Sequence, residues 1–331
     1  MKMLCLLGRW GITLPLLMLC SCETRPHLSA IVPASELPPE LSMNKEAGCG
    51  SWLFVTVRLE SGEALPFFID TGSTVTCFDK SLTSKLGEPI GVGKLQHYGD
   101  TIEEGIYPAP KLYIGGVRLV TGNNVIAVDF KQGSADAGRA VMGVLGQDCL
   151  QHYCIQLDFQ AGTMRFLDTD HLDAAQLGQA FPLTLSGKKG DIRPLIHCAN
   201  FLAAKGANLI VDTGNAHDGD FETRLFRREV KKHTLRIETA GVNNQPPNRA
   251  RLPHCTWNGN NYTNLLIGSG VNSIGLRFLA RHLLTLNFPR RTLYLKRMTG
   301  DPLLGENLAK PDSLKSAAEE AHWRIEAGTK K

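Results

Sequence analysis

The chain has 331 residues, of which 43% are apolar and 21% charged, and its 36 basic and 32 acidic side chains leave a formal net charge of +4. The apolar share supports a large core and argues against a disordered chain, while so small a charge excess leaves no footprint for nucleic acid. The 33 glycines recur between short runs of Val, Ile, Leu and Phe, a pattern of many strands joined by tight turns, so an all-β architecture is expected.

Taken in chain order, Lys2 and Arg9 precede an apolar run, Ile12 to Leu19, that is too short to span a bilayer. The run ends in Leu19-Cys20-Ser21-Cys22, and a small residue directly before a cysteine resembles a bacterial lipoprotein signal. On that resemblance residues 1–22 are the signal, Cys22 becomes the lipid-bearing N-terminus, and the protein sits in the cell envelope, anchored to a membrane and facing the periplasm or the exterior. An ordinary secretory signal cut nearby, or an uncleaved anchor, is the alternative. Residues 23–47 hold Pro26, Pro33, Pro38 and Pro39 with little apolar periodicity and read as an extended tether. Six cysteines follow Cys22; outside the cytosol an even number permits disulfides, with fifteen pairings open.

The body of the chain repeats itself. An apolar hairpin, Trp52 to Leu59 and Leu65 to Ile69, runs straight into Asp70-Thr71-Gly72-Ser73. A second, Pro194 to Phe201 and Asn208 to Val211, runs into Asp212-Thr213-Gly214-Asn215. The ends of the halves also match: Val144 to Leu167 aligns without a gap to Ser273 to Lys296, each reading apolar residue, glycine, short helix, strand, turn and strand. Two duplicated β halves follow, residues 48–168 and 181–298, joined by residues 169–180. Beyond Gly300, in a tail of residues 299–331, Ser313 is placed to cap a helix carrying Leu314, Ala318, Ala321 and Ile325 on one face.

A single Asp-Thr-Gly is an ordinary turn sequence. Here two copies each follow an apolar run, Phe67-Phe68-Ile69 and Leu209-Ile210-Val211, which carries the aspartate into a buried setting. A duplicated chain with one such motif per half resembles the aspartic peptidases, pepsin-like or retropepsin-like, in a bacterial two-lobed form. The resemblance implies a bilobal fold of two acid-protease β barrels with short helices, and Asp70 and Asp212 meeting between the lobes with a water molecule. Two carboxyls in hydrogen-bond range do not both ionise cheaply, so one keeps its proton and the pair combines an acid and a base.

By the same resemblance Gly72 and Gly214 permit the turns, Thr71 and Thr213 cross-bond the halves, and the Ser73 hydroxyl donates to Asp70. Asn215 departs from the Ser or Thr of the family pattern, and its NH2 is a candidate donor to Asp212. A hairpin at Lys94 to Ile106, with Tyr98 and Gly99 at its tip, is the candidate flap, and Val144-Leu145-Gly146 and Ser273-Ile274-Gly275 are the strands beside the aspartate loops. A peptide or protein substrate, a monomer, no cofactor and no metal are implied. Two rivals are a catalytically silent protein that binds peptides in the same cleft, which Asn215 would explain, and a structural envelope protein, which widely separated aspartates would require.

The remaining polar clusters read as structure. Cys149, His152 and Cys154 lack a second ligand pair at zinc spacing and fall on the short helix after Gly146. Asp218, Asp220 and Glu222 fail the calcium-loop spacing, and His217-Asp218 reads as a turn. Arg227, Arg228, Lys231 and Lys232 form a solvated helix face, and Ala240 to Leu252 a loop at the cleft rim.

Overall fold

A computed structural model describes residues 31–97, 100–185, 192–198, 206–237, 248–298 and 325–326. Among these residues the chain is mostly β, with strands gathered in one sheet of thirteen and another of ten. Helices are short; the longest runs from Thr223 to Lys231 and buries Phe226 while Arg224, Arg227, Arg228 and Lys231 stay exposed.

The first half begins with the hairpin Phe54–Leu59 and Ala64–Ile69, paired Phe54↔Phe68 through Arg58↔Ala64. Val55, Val57 and Leu59 point inward on alternate residues while Thr56 and Arg58 face out, as period-two patterning requires. Gly143–Leu145 then lies parallel to Phe67–Ile69 on the far side of that strand, with Leu145 opposite Ile69. All three of its residues are buried, and their apolar character fits a strand covered on both faces.

The second half repeats the order. Pro194–Cys198 pairs with Ala207–Asp212, and Ser273–Gly275 lies parallel to Ile210–Asp212. After each of the inserted strands come one helical turn, Gln147–Leu150 or Leu276–Leu279, and a closing hairpin. The hairpins are Cys154–Asp158 with Thr163–Leu167 and His282–Asn287 with Thr292–Arg297. Their first strands pair with each other, Ile155 opposite Leu286, so the closing strands of both halves share the thirteen-stranded sheet. Gly146 and Gly275 occupy matching positions: a Cβ on Gly146 would strike the backbone of Val75, and one on Gly275 the carbonyls of His217 and Asn215.

Several expectations are corrected. Residues 31–47 pack on the body where a tether was read: Leu41–Ser42 pairs with Met164 and Thr163, and Met43 and Ala47 are buried. Asn44 accepts from Phe54 N at 2.8 Å and donates to the Trp52 carbonyl at 2.9 Å. Sparse prolines had masked the few apolar anchors, Leu37, Leu41 and Met43, that dock this stretch. The linker is shorter than 169–180, since the strand Gln179–Leu185 begins inside it. In the tail, Ile325–Glu326 forms a strand paired with Leu95 and Lys94 where a helix was expected; residues 299–324 lie outside the described residues.

Arg249–Leu252 belongs to a strand, Arg249–Trp257, paired with Asn260–Gly270, the Asn248 carbonyl accepts from Ser269 N just before it, and residues 240–247 of the rim loop read at 240–252 lie outside the described residues. Cys154 opens a strand instead of lying on the helix with Cys149. Cys49, Cys77, Cys149, Cys154, Cys198 and Cys255 are free thiols. Cys22 and the signal lie outside the described residues, among which no helix is long and apolar enough to cross a membrane.

Candidate active site

Both Asp-Thr-Gly motifs stand where a buried strand breaks off. Asp70 follows Ile69 and gives its N–H to the Leu145 carbonyl at 3.1 Å, so the strand paired on one side fixes where the loop begins. Asp212 is the last residue of Ala207–Asp212 and lies opposite Gly275. Both side chains are buried, Asp70 to 1% exposure and Asp212 to 0%.

Each carboxylate is gripped the same way. Asp70 Oδ1 accepts from Gly72 N at 2.7 Å and Ser73 N at 3.1 Å; Asp212 Oδ1 accepts from Gly214 N at 2.9 Å and Asn215 N at 3.1 Å. The halves are locked by the threonines. Thr71 N donates to Thr213 Oγ1 and Thr213 N to Thr71 Oγ1, both at 3.0 Å. The two hydroxyls in turn donate across to the Val211 carbonyl at 2.6 Å and the Ile69 carbonyl at 2.8 Å. Four buried hydrogen bonds thus run between segments some 140 residues apart in the chain.

The glycines report how close the carboxylates come. A Cβ on Gly72 would lie 2.5 Å from Asp212 Oδ1, and one on Gly214 would lie 2.5 Å from Asp70 Oδ1. Each loop therefore passes directly over the other half's aspartate, and only glycine leaves room. The two aspartates are together, which removes the reading that needed them far apart.

Burial pushes the Asp70 carboxyl up to about 6, against the pull of the Gly72 and Ser73 N–H groups, a hydrogen bond with Asp212 and the charge of Arg193. Burial also holds Asp212 well above the usual carboxylate range, reinforced by the negative charges of Asp70 and Asp220. With both groups ionised neither Oδ2 has a donor from the protein. One proton held between them supplies it, and that arrangement is an acid and a base side by side.

Two expected contacts are corrected. The Ser73 hydroxyl donates to the Val75 carbonyl at 2.8 Å instead of to Asp70. The Asn215 NH2 donates to Ser273 Oγ at 2.9 Å instead of to Asp212, while its Oδ1 accepts from His217 N at 2.9 Å. In both halves the tight turn brings the backbone N–H to the carboxylate and sends the side chain back along the loop. The departure at Asn215 therefore leaves the hold on Asp212 equal to the hold on Asp70.

A hairpin stands where the candidate flap was expected, Gly91–His97 against Asp100–Pro108 with His97 opposite Asp100, and its expected tip, Tyr98 and Gly99, lies outside the described residues. Around Cys149 and Cys154, burial pushes both thiols up, Cys154 to about 12, and no group of metal-ligating side chains is found among the described residues.

Sequence reasoning missed the buried charges behind the dyad. Arg193, 4% exposed, acts on both aspartates. Asp218, read as part of a turn, is fully buried: its Oδ1 pairs with Arg281, Arg277 Nε lies 3.4 Å from its Oδ2, and Leu266 N donates to the same oxygen at 2.7 Å. Asp220 and His217 form a second buried pair. The available signal was arginines at 277 and 281 inside the apolar stretch Leu276 to Leu284, a place where charge survives only if paired.

No family model matches the sequence, and no curated protein does. Among solved structures, basic 7S globulin from soybean is similar over 80% of this chain and 95% of its own, with a TM-score of 0.49 and 10% sequence identity.

Proposed function

We propose that this chain is an aspartic peptidase of two duplicated lobes, in which Asp70 and Asp212 hydrolyse a peptide bond through an activated water. The observation that carries the reading is the mutual burial of the two carboxylates, each with Oδ1 fixed by two backbone N–H groups and Oδ2 free of protein donors. A water hydrogen-bonded to both Oδ2 atoms loses a proton to the ionised aspartate as its oxygen attacks the peptide carbonyl. The protonated aspartate gives its hydrogen bond, then its proton, to the developing oxyanion. Collapse of the tetrahedral intermediate expels the amine, which takes up the proton gained by the base, while one hydroxyl of the intermediate returns a proton to the aspartate that acted as the acid as the product carbonyl forms, so the dyad ends singly protonated. No covalent intermediate forms.

The matching order of hairpin, aspartate loop, inserted strand and closing hairpin in both halves supports the duplication. Asn215 gives no ground for a catalytically silent binding protein, because Ser73 likewise leaves its aspartate to a backbone N–H. The motif Leu19 to Cys22 supports secretion, lipidation at Cys22 and a place in the cell envelope. We take the working unit to be a monomer, since each half supplies one aspartate.

Incubation with an unstructured peptide library across acidic to neutral pH tests the activity. Wild type is expected to cleave, while Asp70→Asn and Asp212→Asn are each folded and lose nearly all activity, because the pair acts as one unit. Equal cleavage by wild type and Asp212→Asn would refute the dyad.

A further inference from the structure

We propose that Gln147 is a positioning residue of the first half-site: its side-chain NH2 holds the peptide unit joining Thr71 to Gly72 in the orientation that aims the Gly72 N–H at Asp70. This deepens the peptidase reading above and rests on it. Gln147 opens the helical turn Gln147–Leu150 just after the inserted strand, and it is 0% exposed. Its Nε2 donates to the Thr71 carbonyl at 3.2 Å. A carbonyl only accepts, so the nitrogen end of the amide is the end that faces it.

The bond matters through the peptide unit it reaches. The Thr71 C=O and the Gly72 N–H belong to one rigid trans plane and point in opposite directions, so fixing the carbonyl fixes the line of the N–H. That N–H ends on Asp70 Oδ1 at 2.7 Å. The path from the Gln147 amide to the carboxylate thus crosses a single peptide unit, and each hydrogen bond polarises the next. The other polar groups of Thr71 are tied to the second half, its N–H to Thr213 Oγ1 at 3.0 Å and its hydroxyl to the Val211 carbonyl at 2.6 Å. Gln147 supplies the tie from the first half.

The second half has no such bond. The gapless match of Val144 to Leu167 with Ser273 to Lys296 puts Leu276 where Gln147 stands. The backbone contact is common to both, Gln147 N donating to the Ser73 carbonyl at 2.8 Å and Leu276 N to the Asn215 carbonyl at 2.7 Å. A leucine side chain, however, offers the Thr213 carbonyl no donor. The amide of the second half sits on the loop itself, where Asn215 Nδ2 donates to Ser273 Oγ at 2.9 Å, toward the inserted strand. Leu276 is as deeply buried as Gln147, so an apolar side chain fits this place. An amide buried where leucine fits carries a desolvation cost, and the side-chain hydrogen bond that offsets it goes to the aspartate loop.

The test compares wild type with Gln147→Leu, which copies Leu276, and with Gln147→Met, which keeps the length of the side chain. Amide hydrogen exchange followed by NMR reads the positioning directly. In both variants the Gly72 N–H is expected to exchange about tenfold faster while the Gly214 N–H, the internal reference, keeps its rate. On a cleaved peptide, a weaker donor to the ionised carboxylate raises the first ionisation of the pair. The acidic limb of kcat/KM should then move up by about half a pH unit, about threefold on that limb, with KM changed less than about twofold. A Gly72 amide that exchanges at the wild-type rate overturns the proposal, and so does equal acceleration of Gly72 and Gly214, the mark of general loosening. An acidic limb that stays in place overturns it too, even if kcat falls. Should wild type cleave nothing at any pH, the peptidase reading fails, and the two exchange rates alone decide whether Gln147 orients the Gly72 N–H.

Discussion

Thr71 and Thr213 exchange hydrogen bonds as equals: each backbone N–H donates to the other's hydroxyl oxygen at 3.0 Å, and each hydroxyl donates to a carbonyl of the opposite strand. Their hydroxyls bond to each other's backbone and to strand carbonyls and not to the carboxylates. What they fix is the separation of the two loops, and through it the approach of Asp70 to Asp212.

Thr213→Val should therefore damage both stability and activity. It leaves Thr71 N without an acceptor and the Ile69 carbonyl without a donor in a dry setting, at a cost of about 2–4 kcal/mol in unfolding free energy. Thr213→Ser keeps the hydroxyl and is expected to recover most of both. Urea unfolding of the three proteins checks this, and a valine variant as stable as wild type would show that the cross-bonds do not hold the halves together.

Gly72→Ala and Gly214→Ala form a symmetric pair of tests. Each new methyl would press on the carboxylate supplied by the other half. Displacing either by a fraction of an ångström separates the shared proton, so both variants should fold and lose at least about 100-fold in kcat/KM. Retained activity in one of them would mean that its loop is free to move away, and that the two half-sites are not equally tight.

How much of this could be read from the chain depends on what each residue's position reveals. The hairpins, the aspartate loops and the inserted strands were legible because apolar runs and a repeated tripeptide are local signals that occur twice. The threonine cross-bonds came only from family resemblance, since no spacing in one half specifies a partner in the other. The side-chain contacts of Ser73 and Asn215 were misplaced because residue type gives a donor but not its direction. The cluster of Asp218, Arg277 and Arg281 was illegible for a different reason: its members lie some 60 residues apart and meet only after the strand Ser273–Gly275 has inserted beside Asp212. Residues 31–47 were misread because docking by three apolar side chains leaves no periodicity.

Asp148 gives a prediction for stability. Burial pushes its carboxyl up to about 6 despite the Thr76 hydroxyl, so between about pH 4 and pH 6 the folded protein keeps a proton that the unfolded chain has lost. Stability then falls as pH rises through that window, by about 3 kcal/mol for this group. His282, pushed down to about 4 by burial, pulls the other way over the same range, so the effect is read by difference. The stability of wild type relative to Asp148→Asn should drop between pH 4 and pH 7; parallel curves would refute the assignment.

Lipidation is tested separately from the fold. Cys22→Ala should release the protein from the membrane fraction with any peptide cleavage intact, because Asp70 and Asp212 lie beyond the segment that docks on the body through Leu41, Ser42, Met43 and Ala47. A variant that stays in membranes with its leader attached would point to an uncleaved anchor.

Asn215→Ser asks whether the departure from the family pattern matters. The side chain of Asn215 serves the loop, donating to Ser273 and accepting from His217 N, while Asp212 is held by the backbone N–H that a serine retains. In the other half the serine hydroxyl folds back to the carbonyl of Val75, and a serine at 215 has the His217 carbonyl in the equivalent place. Losing the buried contacts to Ser273 and His217 should cost about 1–2 kcal/mol of stability. Activity, by contrast, should stay within about threefold, since the interactions made with the reacting groups do not change. Unfolding curves and steady-state rates on one cleaved peptide separate the two effects. A rise of tenfold or more would mean that Asn215 restrains Asp212 through its side chain, and would restore the reading in which the second half-site has drifted from catalysis toward binding.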